Sequence, residues 1–245
     1  MSLTTYAYSA LEQIHACDSP AELTDFTQRL IGDLGATSYV YSIHITDDHM
    51  PEQFSQRHVM SSDEEWCELY NKRRWFMNDP FLEYAKRNSS PVCGSEVLPR
   101  TQGQQDMLQM AGKYGFLSGI LVPTHSSNNV EERLSMLYVG ADAPPEVGEP
   151  QLKTFRIFYR ALGMELMDWW INHLREKAAE KFKLNEEEIE LLQLSKNGCV
   201  VSEIGAKLSM KPSNLYRKFD IIKDKFNVEK IGEAVRAANR CGLLG

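Results

Sequence analysis

Apolar side chains first recur at helical spacing at Leu23, Phe26, Leu30, Ile31 and Leu34, between Ser19-Pro20-Ala21-Glu22 and Gly35. A capping Ser, a Pro at the first helical position and a Glu three residues after the Ser form a start signal, so the spacing predicts a helix that ends at Gly35. From Tyr39 the period falls to two. Tyr39, Tyr41, Ile43 and Ile45 share one face, and Asp47-Asp48 marks a turn, which predicts a strand. A weaker strand pattern runs from Phe54 to Met60. Ser62, with Glu65 three residues on, reads as a capping box for a helix beginning near Asp63. Phe81–Arg87 predicts a short helix that stops before Pro91, because a residue ahead of proline avoids helical geometry. Gln104–Tyr114 predicts another, with Met107, Leu108, Ala111 and Tyr114 inward and Gly115 as its stop. Strands follow at Phe116–Thr124 and Leu134–Val139, separated by the turn-forming Ser126-Ser127-Asn128-Asn129. Ala143–Pro150 reads as a loop. Beyond it Phe155, Phe158, Tyr159, Leu162, Leu166, Trp169, Trp170 and Leu174 trace a long helix.

This order predicts an α+β fold: an α/β/α sandwich in which helices pack on the faces of an antiparallel sheet. The apolar stripe of the long helix is wider than one sheet face needs. Two readings stay open for it, intramolecular core or a surface shared with a second copy in a homodimer. His173–Lys183 holds five basic side chains and little that is bulky and apolar. It reads as a linker between a domain over residues 1–172 and a second over 184–245.

The second domain is predicted to be all-α, with four helices. Asn185-Glu186-Glu187-Glu188 is a capping box flanked by Leu184 and Ile189, so a helix starts at Glu186 and ends at Asn197-Gly198. A short helix from Ser202 or Glu203 to about Leu208 comes next. Pro212 opens a third, whose Leu215, Phe219, Ile222 and Phe226 form a narrow stripe, and Ile231–Cys241 is the fourth. Two helices joined by so short a turn form a helix-turn-helix. On the third helix Ser213 and Arg217 lie opposite the buried stripe, with Asn214, Lys218 and Ile221 along one flank. That face suits a major groove, where Arg and Asn reach base edges and Lys reaches phosphates; it also suits plain solvent.

Charge adds a partner. Residues 177–245 carry 13 basic against 10 acidic side chains, whereas the whole chain has 27 Lys+Arg against 34 Asp+Glu. An acidic body with a basic tail domain points the tail toward a polyanion, which for a helix-turn-helix is double-stranded DNA. Five scattered cysteines without a C-x-x-C, and histidines that do not cluster, predict neither disulfides nor a metal site. With no long apolar run and no basic-then-apolar start, a cytoplasmic, membrane-free protein is expected.

Candidate chemistry concentrates in Trp66-Cys67-Glu68-Leu69-Tyr70 and Asp79-Pro80. Trp66 and Tyr70, at i and i+4, point the same way. Asp79 follows where the chain has had room to turn back. An indole N–H, a phenol and a carboxylate are costly to bury without partners, and a small amide or lactone would supply them. The plainer reading is an aromatic core pair and an Asp N-cap with Pro at N1. As an enzyme the chain has little to offer: Tyr70 and Asp79 for proton transfer, or Cys67 or Cys93 as nucleophile, have no base at a recognisable spacing.

The W-x3-Y-x8-D-P spacing resembles the autoinducer-binding domain of LuxR-type quorum-sensing regulators. The resemblance implies an acyl-homoserine lactone as signal and no cofactor. In it Trp66 donates to the lactone carbonyl, Tyr70 binds the acyl amide oxygen and Asp79 accepts the amide N–H. It places Gly119 beside the pocket and Ser135 within reach of the acyl chain; Tyr41, on the alternating strand, joins the expected ligand-binding set. A second pocket tryptophan is replaced by Gly94, which predicts free space over the ring or chain. The Tyr-Pro that usually precedes the first Trp is replaced by Ser62-Asp63. Residues 184–243 resemble the LuxR-type helix-turn-helix through Leu184, Glu188, Leu191, Gly198, Glu203-Ile204, Ile222, Lys225, Val228, Ala234-Val235, Ala238 and Gly242-Leu243. Lys211, Asn214-Leu215, Lys218 and Ile221 depart from the pattern on the third helix, which implies an unusual DNA preference. The whole implies a ligand-responsive, DNA-binding transcription regulator acting as a homodimer. The alternative is an orphan regulator of the same fold that works without a lactone.

Overall fold

Capping chemistry sets where most helices begin in the computed structural model, which describes residues 3–46, 54–61, 63–127 and 132–244. A helix over Leu3–Leu11 (α1) carries no start signal and was not expected; Tyr8 packs edge-on against Phe158 at 5.6 Å. In α2 (Pro20–Gly32), Ser19 Oγ accepts the Glu22 N–H at 3.3 Å. The strands β1 (Ser38–Thr46) and β2 (Phe54–Ser61) pair antiparallel; the expected Asp47-Asp48 turn lies outside the described residues. The next helix, α3 (Glu64–Lys72), is capped by Asp63, which accepts the Trp66 N–H at 2.8 Å. The expected cap, Ser62, lies outside the described residues. After it come α4 (Pro80–Ala85), a two-residue strand β3 (Val92–Cys93) and α5 (Gln102–Gly112), which opens two residues before its expected start because Thr101 caps it. The strands β4 (Ser118–Ser127) and β5 (Glu132–Ala141) follow, and the Asn128-Asn129 part of their turn lies outside the described residues.

The expected loop over Ala143–Pro150 is corrected: Pro145–Thr154 is a helix, α6, with Pro150 inside it. Its first proline occupies a helix start, where the missing N–H costs nothing. Tertiary contacts hold the rest. A Cβ on Gly148 would lie 2.3 Å from Ser118 Oγ, and Glu149, 6% exposed, accepts from Ser95 N and Oγ at 2.9 and 2.5 Å. The long helix is α7 (Arg156–Phe182), so most of the expected linker is helical. Its stripe residues Phe158, Tyr159, Leu162, Leu166, Trp169 and Trp170 are all buried.

Two compact units divide at Trp169 and Trp170. In the first, the five strands run β2-β1-β5-β4-β3, each neighbouring pair antiparallel. The register places Val40 opposite Tyr138 and Ser42 opposite Met136, on the same face as Leu121, which pairs with Tyr138. Directly paired residues share a face and successive residues alternate. Tyr39, Tyr41, Ile43, Ser135, Leu137 and Val139 therefore take the other face, where Tyr39 Oη donates to the Thr24 carbonyl of α2 at 3.1 Å. There the backbone of α7 comes close to β4, since a Cβ on Gly163 would lie 2.9 Å from Thr124 Oγ1. Helices cover both faces, as in an α/β/α sandwich.

The second unit continues with α8 (Glu186–Lys196), α9 (Val201–Lys207), α10 (Pro212–Phe226) and α11 (Ile231–Arg240). Leu191, Leu192, Ile204, Leu215, Phe219, Ile222, Phe226, Ala234 and Ala238 share one core. The turn between α9 and α10 doubles back tightly: a Cβ on Gly205 would sit 2.9 Å from the Met210 carbonyl. The cap position of α10 is Lys211, which makes no side-chain cap bond. Lys211→Ser is expected to raise the stability of this unit by about 1 kcal/mol, read by hydrogen exchange in α10.

Candidate ligand pocket

Trp66 and Tyr70 leave α3 on one face, their ring centroids 5.9 Å apart. Trp66 is 6% exposed and Asp79 4%. One oxygen of Asp79 accepts the N–H groups of Phe81 and Leu82 at 2.7 and 3.3 Å, which starts α4; the other accepts the Tyr70 hydroxyl at 2.6 Å. A single carboxylate thus serves as helix cap and as partner of the phenol, and the two readings of Asp79-Pro80 are compatible. Burial pushes the Asp79 carboxyl up from its usual range, against the pull of those three donors.

These three side chains line a cavity of about 70 Å³ between the sheet and α3 to α5. The remaining wall is largely apolar: Val40, Val59, Phe81, Met107, Leu108, Ala111, Phe116, Met136 and Tyr138, with Ser42, His44 and Cys67. Met107, Leu108 and Met136 are flexible, so rotamer changes can enlarge the space for a guest.

The space expected beside Gly94 is not empty. A Cβ on Gly94 would lie 2.6 Å from Tyr138 Oη, and one on Gly119 2.5 Å from the same ring. Tyr138 is seated on both glycines and stacks against Phe81 with centroids 4.8 Å apart. The missing indole is compensated by a phenol from β5. Gly94→Trp alone is expected to destabilise the chain by about 1–3 kcal/mol through overpacking. Combined with Tyr138→Ala it should cost less than the sum of the two single changes, because the indole fills the space that the phenol leaves. Strict additivity in chemical denaturation would contradict this packing.

Tyr41 and Ser135 are corrected. Both are fully buried on the face of the sheet turned away from the cavity. The period-two pattern selected the face richest in large apolar groups, and that face meets α2 and α7. Among the lining residues that sequence reasoning missed are Val40, Ser42 and His44, on the alternate positions of β1. The polarity of Ser42 and His44 reads as a solvent face, yet both are buried. In the second unit Ser213, Asn214, Arg217 and Ile221 are exposed on α10, while Lys218 is ion-paired with Glu187 of α8.

The sequence model of the autoinducer binding domain matches residues 19–158. The chain belongs to that family, the LuxR type of quorum-sensing regulator. No curated protein sequence matches it. Among solved structures, Escherichia coli SdiA superposes with a TM-score of 0.61 at 16% identity over 100% of both chains. SdiA in complex with octanoyl-rac-glycerol gives 0.62 at 14% identity, over 100% of this chain and 97% of that one. CepR2, an N-acylhomoserine lactone dependent LuxR family transcription factor from Burkholderia cenocepacia, gives 0.55 at 14% identity, over 68% of this chain and 95% of that one. Identities this low establish a common fold. The LuxR-type family is one of regulators and not of enzymes. Burial pushes the Cys93 thiol up, which makes it a poor nucleophile. Among the described residues no helix is long and apolar enough to cross a membrane, and no cluster of His, Cys, Asp or Glu could hold a metal ion.

Proposed function

We propose that this LuxR-type chain is a cytoplasmic, ligand-responsive transcription regulator whose signal is an acyl-homoserine lactone or a similar small amphipathic molecule. The convergence of Trp66, Tyr70 and Asp79 on one mostly apolar cavity carries this reading. A bound amide would take over the Tyr70 hydroxyl as donor to its oxygen and offer its N–H to the freed Asp79 oxygen, while the Trp66 N–H meets a ring carbonyl. Binding to the folded form alone stabilises it by mass action. A homodimer then presents two α10 helices to a palindromic site on double-stranded DNA, with Arg217, Asn214 and Ser213 toward base edges and Ile221 on the flank. Ile157 and Met164, 56% and 45% exposed on α7, are the apolar positions proposed for the second copy.

The Tyr70–Asp79 bond and the small cavity also favour a second reading, a regulator that folds and binds DNA without a signal. A lactone panel titrated into the purified chain, followed by thermal stability and gel shift, separates the two. Trp66→Phe should weaken the best ligand about tenfold. DNA binding by ligand-free dimer that no lactone alters would favour the second reading.

A further inference from the structure

Two hydrogen-bond donors in the cavity wall have no hydrogen-bond partner among the described residues: the indole N–H of Trp66 and the hydroxyl of Tyr138. The other polar groups there are engaged. Tyr70 is bonded to Asp79, Ser42 to His44, and Cys67 has an interaction of its own. A carbonyl of the signal meets Trp66, which leaves the phenol idle. Tyr138 is 8% exposed, and a hydroxyl held away from water without a partner is costly and uncommon.

Neighbouring carboxylates do not relieve it. Glu149 is taken by Ser95, through N–H and Oγ, and by the Cys93 thiol; Asp79 is filled by Phe81, Leu82 and Tyr70. Burial, with Glu149, Cys93 and Asp79 close by, keeps the phenol protonated, so it is a standing donor. Gly94 and Gly119 seat the ring, and Phe81, two residues from Asp79, stacks on it. Phe116 links it to Trp66, with centroids 6.0 Å apart in both contacts. The hydroxyl is thus fixed at the end of the cavity where the trio lies.

We propose that Tyr138 is a fourth residue of the head site, and that its hydroxyl donates to a second oxygen of the signal's head, separate from the carbonyl at Trp66. The inference rests on the cavity being the signal site. It narrows the head to one with an extra acceptor, the ring oxygen of a lactone or a hydroxyl, because a plain cycloalkanone or alkyl head would leave the phenol unmet.

The test uses the full chain, as wild type and Tyr138→Phe, with two matched pairs of probes read by titration. N-octanoyl homoserine lactone is set against N-(2-oxocyclopentyl)octanamide, in which a methylene replaces the ring oxygen, and N-(2-hydroxyethyl)octanamide against N-propyloctanamide. The wild type should prefer the extra oxygen by about fivefold or more in at least one pair, the first pair marking a ring oxygen and the second a hydroxyl. Tyr138→Phe keeps the ring and its stacking, and should bring that ratio to about one. Without ligand it should melt at the wild-type temperature or above, since no bond of the fold is lost. A lower midpoint shows the hydroxyl already held within the fold and overturns the inference. Lactone binding with no preference in either pair, or with a preference that Tyr138→Phe retains, overturns it and leaves the lactone reading intact. If neither ring compound binds, but the hydroxyethyl amide outcompetes the propyl amide in the wild type and not in Tyr138→Phe, the fourth contact stands and the lactone reading falls. Failure of every probe to bind overturns both.

Discussion

Asp79→Ala is expected to destabilise the first unit by about 2–3 kcal/mol and to weaken the signal about a hundredfold. The stability term has two parts. The α4 helix loses a cap that accepts from Phe81 and Leu82, worth about 1 kcal/mol. The Tyr70 hydroxyl loses its acceptor in a half-buried place, which costs about 1–3 kcal/mol. Part of this is offset because the carboxylate is itself costly to bury. The binding loss follows from removing a charge-assisted hydrogen bond, about 1.5–3 kcal/mol. Asp79→Asn separates the roles, since its amide oxygen can still cap α4 and its NH₂ can donate to Tyr70.

The same pair of variants gives a pH signature. With its pKa raised by burial, Asp79 holds a proton in the fold at pH values where the unfolded chain has released it. The folded state then binds more protons, and stability falls as pH rises from the ordinary carboxylate range up through the raised value. Asp79→Asn should lack this component. Unfolding midpoints for wild type and Asp79→Asn between neutral pH and about pH 4 should therefore converge toward the acid end in favour of the wild type. Parallel curves would show that Asp79 is not held up by burial.

Glu188→Ala should cost the second unit about 3–5 kcal/mol, enough to unfold it, and with it the proposed DNA binding. Glu188 is 4% exposed and closes the capping box of α8, accepting the Asn185 N–H at 2.9 Å. Both its oxygens also take the Lys225 ammonium, at 2.7 and 2.6 Å. Removing the carboxylate strands a partly buried cation on α10 and an open helix start on α8. Glu188→Gln keeps the cap oxygen and should lose less. Three of the four tryptophans precede the second unit and Trp170 stands at its first residue, so fluorescence is a poor reporter of this event. Hydrogen exchange over residues 186–240 reads it. Protection unchanged in Glu188→Ala would remove the pair from the unit's stability.

Much of the fold is legible in the chain because its signals are local. Asn185 with Glu188, Pro212 and the Leu215 stripe place α8 and α10 to within a residue, since a cap and a 3.6-residue period need no distant partner. The two units are foreshadowed by charge, although the helix through the expected linker is not. Of the pocket, Trp66 and Tyr70 are legible from i, i+4 spacing. Tyr138 is not: it stands 44 residues from Gly94, and only the β3–β4 and β4–β5 registers together bring it over Gly94 and Gly119. α6 was misread because Pro144, Pro145 and Pro150 are local loop signals, whereas the grip of Glu149 on Ser95 and the tight seat of Gly148 are distant.

By itself the sequence determined the kinds of element, the residues that cap them, and the trio of polar tips whose spacing belongs to one helix and one turn. Which face of β1 looks into the cavity was decided by tertiary structure alone. Both faces of that strand are buried, so alternation marks two sides without saying which helices cover each. The answer came from the partners: α3, α4 and α5 took the side of Ser42 and His44, and α2 and α7 took the side of Tyr41 and Ser135.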